Sequence, residues 1–139
     1  MSLVLDSSVT LSWFFEDERT AATAAVLERV IAHGAVVPTI WHLEVANALQ
    51  SGLRRGRIDA AFRNASLGDL GQLDIVSDPE TDGHAWAETL QLADRFRLTL
   101  YDAAYLELAQ RRGLFLATLD GDLRAAGGVL GLVLLGAAA

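Results

Sequence analysis

The chain has 139 residues, 52% of them hydrophobic, and a formal charge of −7. It contains no cysteine, which excludes disulfides, thiolate metal sites and thiol catalysis. All 11 of its basic residues are arginines, which excludes Schiff-base lysines and phosphate loops that need a lysine. The length suits one domain over residues 1–139, large enough to bury a core without covalent staples. An acidic balance argues at first against nucleic acid, whose recognition rests on basic surface. No basic leader precedes Asp6, and the longest uncharged run, 125–139, is glycine-broken and shorter than the roughly 20 residues a membrane helix needs. A soluble, cytoplasmic protein with no membrane partner is expected.

In chain order, residues 3–5 form an apolar run ending at Asp6, the pattern of a strand buried on both faces. Ser7 and Ser8 can cap a short helix to about residue 15. Residues 18–33 read as a helix stacking Ala22, Val26, Leu27, Val30 and Ile31 on one face, stopped by Gly34. A strand at 35–37 closes at Pro38, helices follow at 41–55 and 59–70, and 74–77 reads as a short edge strand. Helices are expected at 82–97, with Ala85, Leu92, Ala93 and Phe96 on one face, and at 101–112. A strand at 114–117, a short helix at 119–126 and a buried strand at 129–135 complete the series. Short apolar strands alternating with helices imply an α/β fold with a parallel sheet.

In such a sheet, ligands bind outside the carboxyl ends of the strands, where strand order reverses. Asp6 ends the first strand, Asp120 lies just past the fourth, and Glu44 opens the helix after the second. These three fall on one edge. Asp102 opens a helix leading into a strand, and crossover geometry alone does not bring it there. Each acid also has a local explanation. Asp6 and Asp120 can serve as a helix cap and a turn, Glu44 can complement a helix dipole, and Asp102 completes a capping-box spacing with Thr99. Together they are harder to explain locally, because two carboxylates about 4 Å apart repel by roughly 4 kcal/mol at an effective dielectric of 20. Such a cluster holds protons or a cation, and oxygen-only donors suit Mg²⁺ or Mn²⁺ better than Zn²⁺. Asn47 shares a helix face with Glu44, while Ser7 and Thr118 flank Asp6 and Asp120 as supporting donors or substrate contacts.

Four segments resemble the PIN-domain family and, within it, the VapC-type toxins of toxin–antitoxin pairs. They are Val-Leu-Asp6-Ser-Ser-Val, Glu44-Val-Ala-Asn47-Ala-Leu, Leu-Tyr-Asp102-Ala-Ala-Tyr-Leu-Glu-Leu-Ala and Leu-Ala-Thr118-Leu-Asp120-Gly-Asp122-Leu. The resemblance implies a three-layer α/β/α fold around a parallel sheet and a Mg²⁺- or Mn²⁺-dependent endoribonuclease. It assigns Asp6, Glu44, Asp102 and Asp120 to the acidic pocket and is what places Asp102 there. Asp122 is a further candidate, because the Thr-x-Asp-x-Asp pattern leaves the last metal ligand open between Asp120 and Asp122. The resemblance also implies an RNA substrate, a cognate antitoxin and a homodimer.

The arginine clusters at 54–57 and 111–112 can complement helix dipoles or, as a set, guide an RNA backbone. The run Trp13-Phe14-Phe15 cannot face one core from a helix, so part of it is expected under a partner. Other acidic-pocket phosphate enzymes, the response-regulator receivers and haloacid-dehalogenase phosphatases, use a lysine that this chain lacks. The alternative to an enzyme is a catalytically silent PIN-like binding or scaffold module.

Overall fold

The computed structural model describes residues 2–137. Five parallel strands, β1 (Leu3–Leu5), β2 (Ala35–Val37), β3 (Ile75–Ser77), β4 (Phe115–Ala117) and β5 (Leu134–Leu135), lie in the order β3-β2-β1-β4-β5. Among the described residues, eight helices connect and flank them: α1 (Ser7–Ser12), α2 (Ala21–His33), α3 (Trp41–Arg54), α4 (Ala60–Leu70), α5 (Thr81–His84), α6 (Glu88–Phe96), α7 (Leu100–Arg112) and α8 (Gly121–Val129). The result is a three-layer α/β/α arrangement. β1 is central, its three residues fully buried because helices cover both faces, so the strand can be apolar throughout.

Local chemistry sets several boundaries. Thr20 and Thr23 form a capping box at the start of α2. Gly34 ends that helix at φ +75, and a Cβ there would sit 2.9 Å from the Asp74 carbonyl oxygen. Only glycine allows β2 and the approach to β3 to lie this close.

Four sequence expectations need correction. The first helix stops at Ser12; Trp13 is buried and its indole donates to the Thr23 carbonyl, and Phe15 is buried too. Most of that aromatic run therefore belongs to the core, reached by leaving the helix, with a 3-10 turn at Glu16–Glu18 before α2. On α2 it is Thr23, not Ile31, that turns inward with Val26 and Val30; Ile31 is exposed. The helix expected over 82–97 is broken between His84 and Glu88, where Ala87 takes φ −121 and ψ −101. Finally, the strand expected over 129–135 shrinks to Leu134–Leu135 and is only half-buried, because α8 runs on through Gly127 and Gly128 to Val129. Gly127 does not stop the helix. It makes room for Leu134, whose side chain would lie 2.8 Å from a Cβ at that position. Residues 138 and 139 of the alanine tail lie outside the described residues.

Candidate functional site

The direction of strand succession reverses between β1 and β4, and this is where the acids gather. Leu5 pairs with Ala117, and the next amide, that of Asp6, donates to the Ala117 carbonyl at 3.0 Å. The sheet register therefore sets Asp6 beside the loop that carries Thr118 and Asp120.

Two hydroxyls hold the Asp6 carboxylate. Ser8 Oγ accepts the Leu119 amide at 2.9 Å and donates to Asp6 Oδ2 at 2.6 Å. Thr118 Oγ1 accepts the Asp120 amide at 3.0 Å and donates to the same Oδ2 at 2.7 Å. A hydroxyl has one proton, and accepting an amide leaves that proton for the carboxylate. Oδ2 is thus doubly bonded, whereas Oδ1 accepts from Ser7 Oγ at 3.5 Å, the edge of hydrogen-bonding range.

Asp120 is divided in the same way. It caps α8, its Oδ1 accepting the Asp122 and Leu123 amides at 2.8 and 3.0 Å. Among the described residues no hydrogen bond falls on Oδ2. The cap expected from sequence is real and uses half of the carboxylate.

Glu44 stands in the first turn of α3, half-buried, and its Oε1 accepts the Tyr105 hydroxyl at 2.5 Å. Tyr105 is fully buried on α7, three residues beyond Asp102, so one helix brings both an acid and the support for another. Thr99 caps α7 by accepting the Asp102 amide at 3.1 Å. Among the described residues, the Asp102 carboxylate returns no bond to the Thr99 amide, so only half of the expected capping box forms.

The acids lie in one another's field. Burial pushes the Asp6 carboxyl above its usual range, against the Ser8, Thr118 and Ser7 hydrogen bonds, and the Asp120 charge raises it further. Glu44 is raised by burial, then by Asp6 and Asp102, with the Tyr105 bond opposing. Asp102 is raised by burial, then by Asp120, Asp6 and Asp122, with Thr99 opposing. No ion pair among the described residues involves any of these five acids. Nor do three acidic or histidine side chains already converge at ligand spacing there. Among the described residues the cluster is electrostatically frustrated and has no ion-pair partner. An oxygen-only donor set with unrelieved repulsion, in which Asp120 Oδ2 accepts no hydrogen bond among the described residues and Asp6 Oδ1 meets Ser7 only at 3.5 Å, fits a hard divalent cation.

Sequence reading missed Ser8 and Tyr105. Ser8 lies two residues past Asp6 and has the sequence signature of a helix cap, and Tyr105 looks like core until its hydroxyl is followed. Asn47 is exposed and makes no hydrogen bond to Glu44 among the described residues; Tyr105 fills that place. The arginines divide. Arg57 pairs with Asp17 at 2.8 Å, and Arg111 is committed to buried Asp78 at 2.6 Å and buried Glu107 at 2.6 Å. Arg54 and Arg55 remain exposed and outside any ion pair among the described residues.

Comparison with known proteins matches this architecture. The PIN-domain family profile covers residues 3–129. The exonuclease VapC9 of Pyrobaculum aerophilum is 36% identical over 75% of this chain and 77% of its own length. The ribonucleases VapC3 of P. aerophilum and Mycobacterium tuberculosis are 31% and 32% identical over 88% and 85% of this chain, and 92% and 82% of theirs. Among solved structures, PAE2754 from P. aerophilum superposes with a TM-score of 0.67 at 26% identity, covering 91% of this chain and 84% of its own. FitAcB from Neisseria gonorrhoeae, at 19% identity and a TM-score of 0.61 over 95% of both chains, shares the fold. The chain belongs to the PIN-domain family and, within it, to the VapC-type proteins.

Proposed function

We propose that this protein is a Mg²⁺- or Mn²⁺-dependent endoribonuclease, the toxin of a toxin–antitoxin pair, folded as one domain over residues 1–139. The observation that carries the reading is the cluster of five acids at the reversal of strand order, which make no ion pair among the described residues. The ribonucleases named among its relatives support the reaction class.

Asp6 and Asp120 would hold the cation through Oδ1 and Oδ2, the oxygens least engaged by hydrogen bonds. Asp102 and Glu44 would complete the set, and Asp122 stands at its exposed margin. A bound Mg²⁺ or Mn²⁺ supplies an activated water and stabilises charge on the phosphate. Ser8 and Thr118 keep Asp6 in one rotamer, and Tyr105 keeps Glu44 in another, so the donors are ordered before the cation arrives. Ser7 and Asn47 border the site as contacts for substrate or water. Arg54 and Arg55 are left for phosphate contact, and the concentration of acids in one place explains how an acidic chain can still take RNA. An antitoxin that covers the acids and a homodimer complete the proposed assembly. Among the described residues, no helix is long and apolar enough to cross a membrane, and the reading places the protein in the cytoplasm.

The test is incubation of antitoxin-free protein with RNA, with and without Mg²⁺ or Mn²⁺, beside Asp6→Asn and Asp102→Asn. Internal fragments that require metal and vanish in both variants are expected. No cleavage by the wild type with either metal, or equal cleavage by the variants, would overturn the reading; release of single nucleotides from an end would replace endonuclease with exonuclease.

A further inference from the structure

Arg124 stands on α8, one turn past the Asp120 that caps the helix, and is half-buried. It makes no ion pair among the described residues, although the chain holds 18 acids. Its Nη1 instead directs both protons at backbone, donating to the Thr118 carbonyl at 2.8 Å and to the Leu135 carbonyl at 3.0 Å. Hydrogen bonds from an ionised donor are roughly twice as strong as those between neutral groups. A guanidinium given over to two neutral oxygens, in a helix capped by one of the site's acids, calls for a reason other than charge pairing.

The reason lies in the peptide that Arg124 holds. The Thr118 carbonyl and the Leu119 amide belong to one trans peptide and point in opposite directions, so fixing the first aims the second. The Leu119 amide donates to Ser8 Oγ at 2.9 Å, and that bond leaves the Ser8 proton for Asp6 Oδ2. Thr118 supplies the other clamp on Asp6 with its own hydroxyl, which also accepts the Asp120 amide. Both clamps on Asp6 therefore depend on how residues 118 and 119 are oriented, and so does the amide of Asp120. Among the described residues Arg124 is the one donor to the Thr118 carbonyl.

The end of β5 closes on the same residue. The Leu135 carbonyl accepts the Thr118 amide at 3.1 Å as well as Arg124. Gly136 then takes φ +104, and a Cβ there would sit 3.4 Å from the Thr118 carbonyl oxygen and 3.0 Å from Val9 Cγ2. Only glycine lets the chain turn this close to Thr118. We propose that Arg124 is a positioning residue for the acids: by bridging the Thr118 and Leu135 carbonyls it fixes the 118–119 peptide that orients Asp6 and Asp120, and makes the end of β5 a working part of the site. This rests on the cation reading above. Arg124 acts here through backbone, not as a counter-charge, and the two roles have opposite signs. Loss of a positive charge near a cation site strengthens cation binding, whereas loss of a clamp on the carboxylates weakens it.

The test compares wild type with Arg124→Met and Arg124→Gln, which remove the charge and are too short or too apolar to bridge the two carbonyls. In metal-free protein, NMR follows the carbonyl resonances of Thr118 and Leu135 and the hydrogen exchange of the Leu119 and Asp120 amides. Both carbonyls are expected to shift and both amides to exchange several-fold faster. Calorimetric titration should then show Mn²⁺ bound about tenfold more weakly by each variant. Leu70→Ala, which empties a buried position on α4, is the control for general loosening: its Tm should fall and its Mn²⁺ affinity stay level. Folded Arg124 variants that bind Mn²⁺ as tightly as wild type or more tightly would overturn the proposal. So would unchanged carbonyl resonances and amide exchange, or an equal loss of affinity in Leu70→Ala. A wild type that binds no Mn²⁺ would remove the cation reading, and the metal-free resonances and exchange would still decide whether Arg124 holds the 118–119 peptide.

Discussion

Replacing Thr118 with valine removes one proton from the structure around Asp6 and leaves the shape of the side chain unchanged. Thr118 is fully buried at the end of β4, donating to Asp6 Oδ2 at 2.7 Å and accepting the Asp120 amide at 3.0 Å. A hydrogen bond to a charged acceptor contributes about 1.5–3 kcal/mol, and a buried amide left without an acceptor costs about 1–3 kcal/mol. Asp120 is half-exposed, so water can reach its amide and the second loss falls at the low end. The sum is about 3 kcal/mol, which for a chain of this length lowers Tm by about 10 °C. Thermal unfolding of the metal-free protein, followed by circular dichroism, measures it, with Thr118→Ser as the control that restores the hydroxyl. Ser8 still donates to Asp6 in the variant, so Asp6 is loosened rather than freed, and Mn²⁺ affinity should fall about 10- to 100-fold. A valine variant within about 2 °C of wild type would show that the clamp contributes nothing, and the reasoning about Asp6 would fail.

Two further outcomes follow from the charges. Asp6, Glu44 and Asp102 all have folded pKa values raised by burial and mutual repulsion, so the folded state binds more protons than the unfolded chain above the ordinary carboxylate range. Their stability contribution is full below that range and is lost as pH rises through the raised values. The Tm of metal-free protein should therefore decline as pH rises above the ordinary carboxylate range, and saturating Mg²⁺ should flatten the decline; a flat or rising metal-free profile would contradict it. Asp78 has the opposite sign: burial raises it, but Arg111, Thr81 and Arg112 outweigh burial and lower its pKa, so its contribution is lost only as pH falls through the lowered value. Arg111→Leu leaves buried Asp78 and Glu107 without their main counter-charge and should cost about 3 kcal/mol in urea unfolding, whereas a loss under about 1 kcal/mol would mark Arg111 as a solvated helix end.

Much of the fold is written in local signals. Asp6, Gly34 and Pro38 punctuate short apolar runs, so β1 and β2 can be bounded to the residue, and Thr99 marks the start of α7. The features that were not legible depend on contacts between distant segments. Nothing between His84 and Glu88 is a helix breaker; α5 is instead tied to distant parts of the fold by the bond between Thr39 and Asp82. The helix expected to end at 126 runs on through Gly127, whose missing side chain admits Leu134. Arg111 reads as a charge for the helix dipole, and only the folded chain shows it neutralising Asp78, which is 33 residues away in sequence. The acids themselves could be named because strand ends and helix starts share an edge of a parallel sheet. Asp102 could not be placed by that rule, and it was the family resemblance that supplied it.

The central claim is that these acids form one divalent-cation site, and calorimetric titration of Mn²⁺ into the metal-free protein tests it without reference to any substrate. The account predicts saturable binding in the wild type that disappears in both Asp6→Asn and Asp102→Asn, with each variant still folded. Absence of saturable binding in the wild type, or undiminished binding in the two variants, would contradict it.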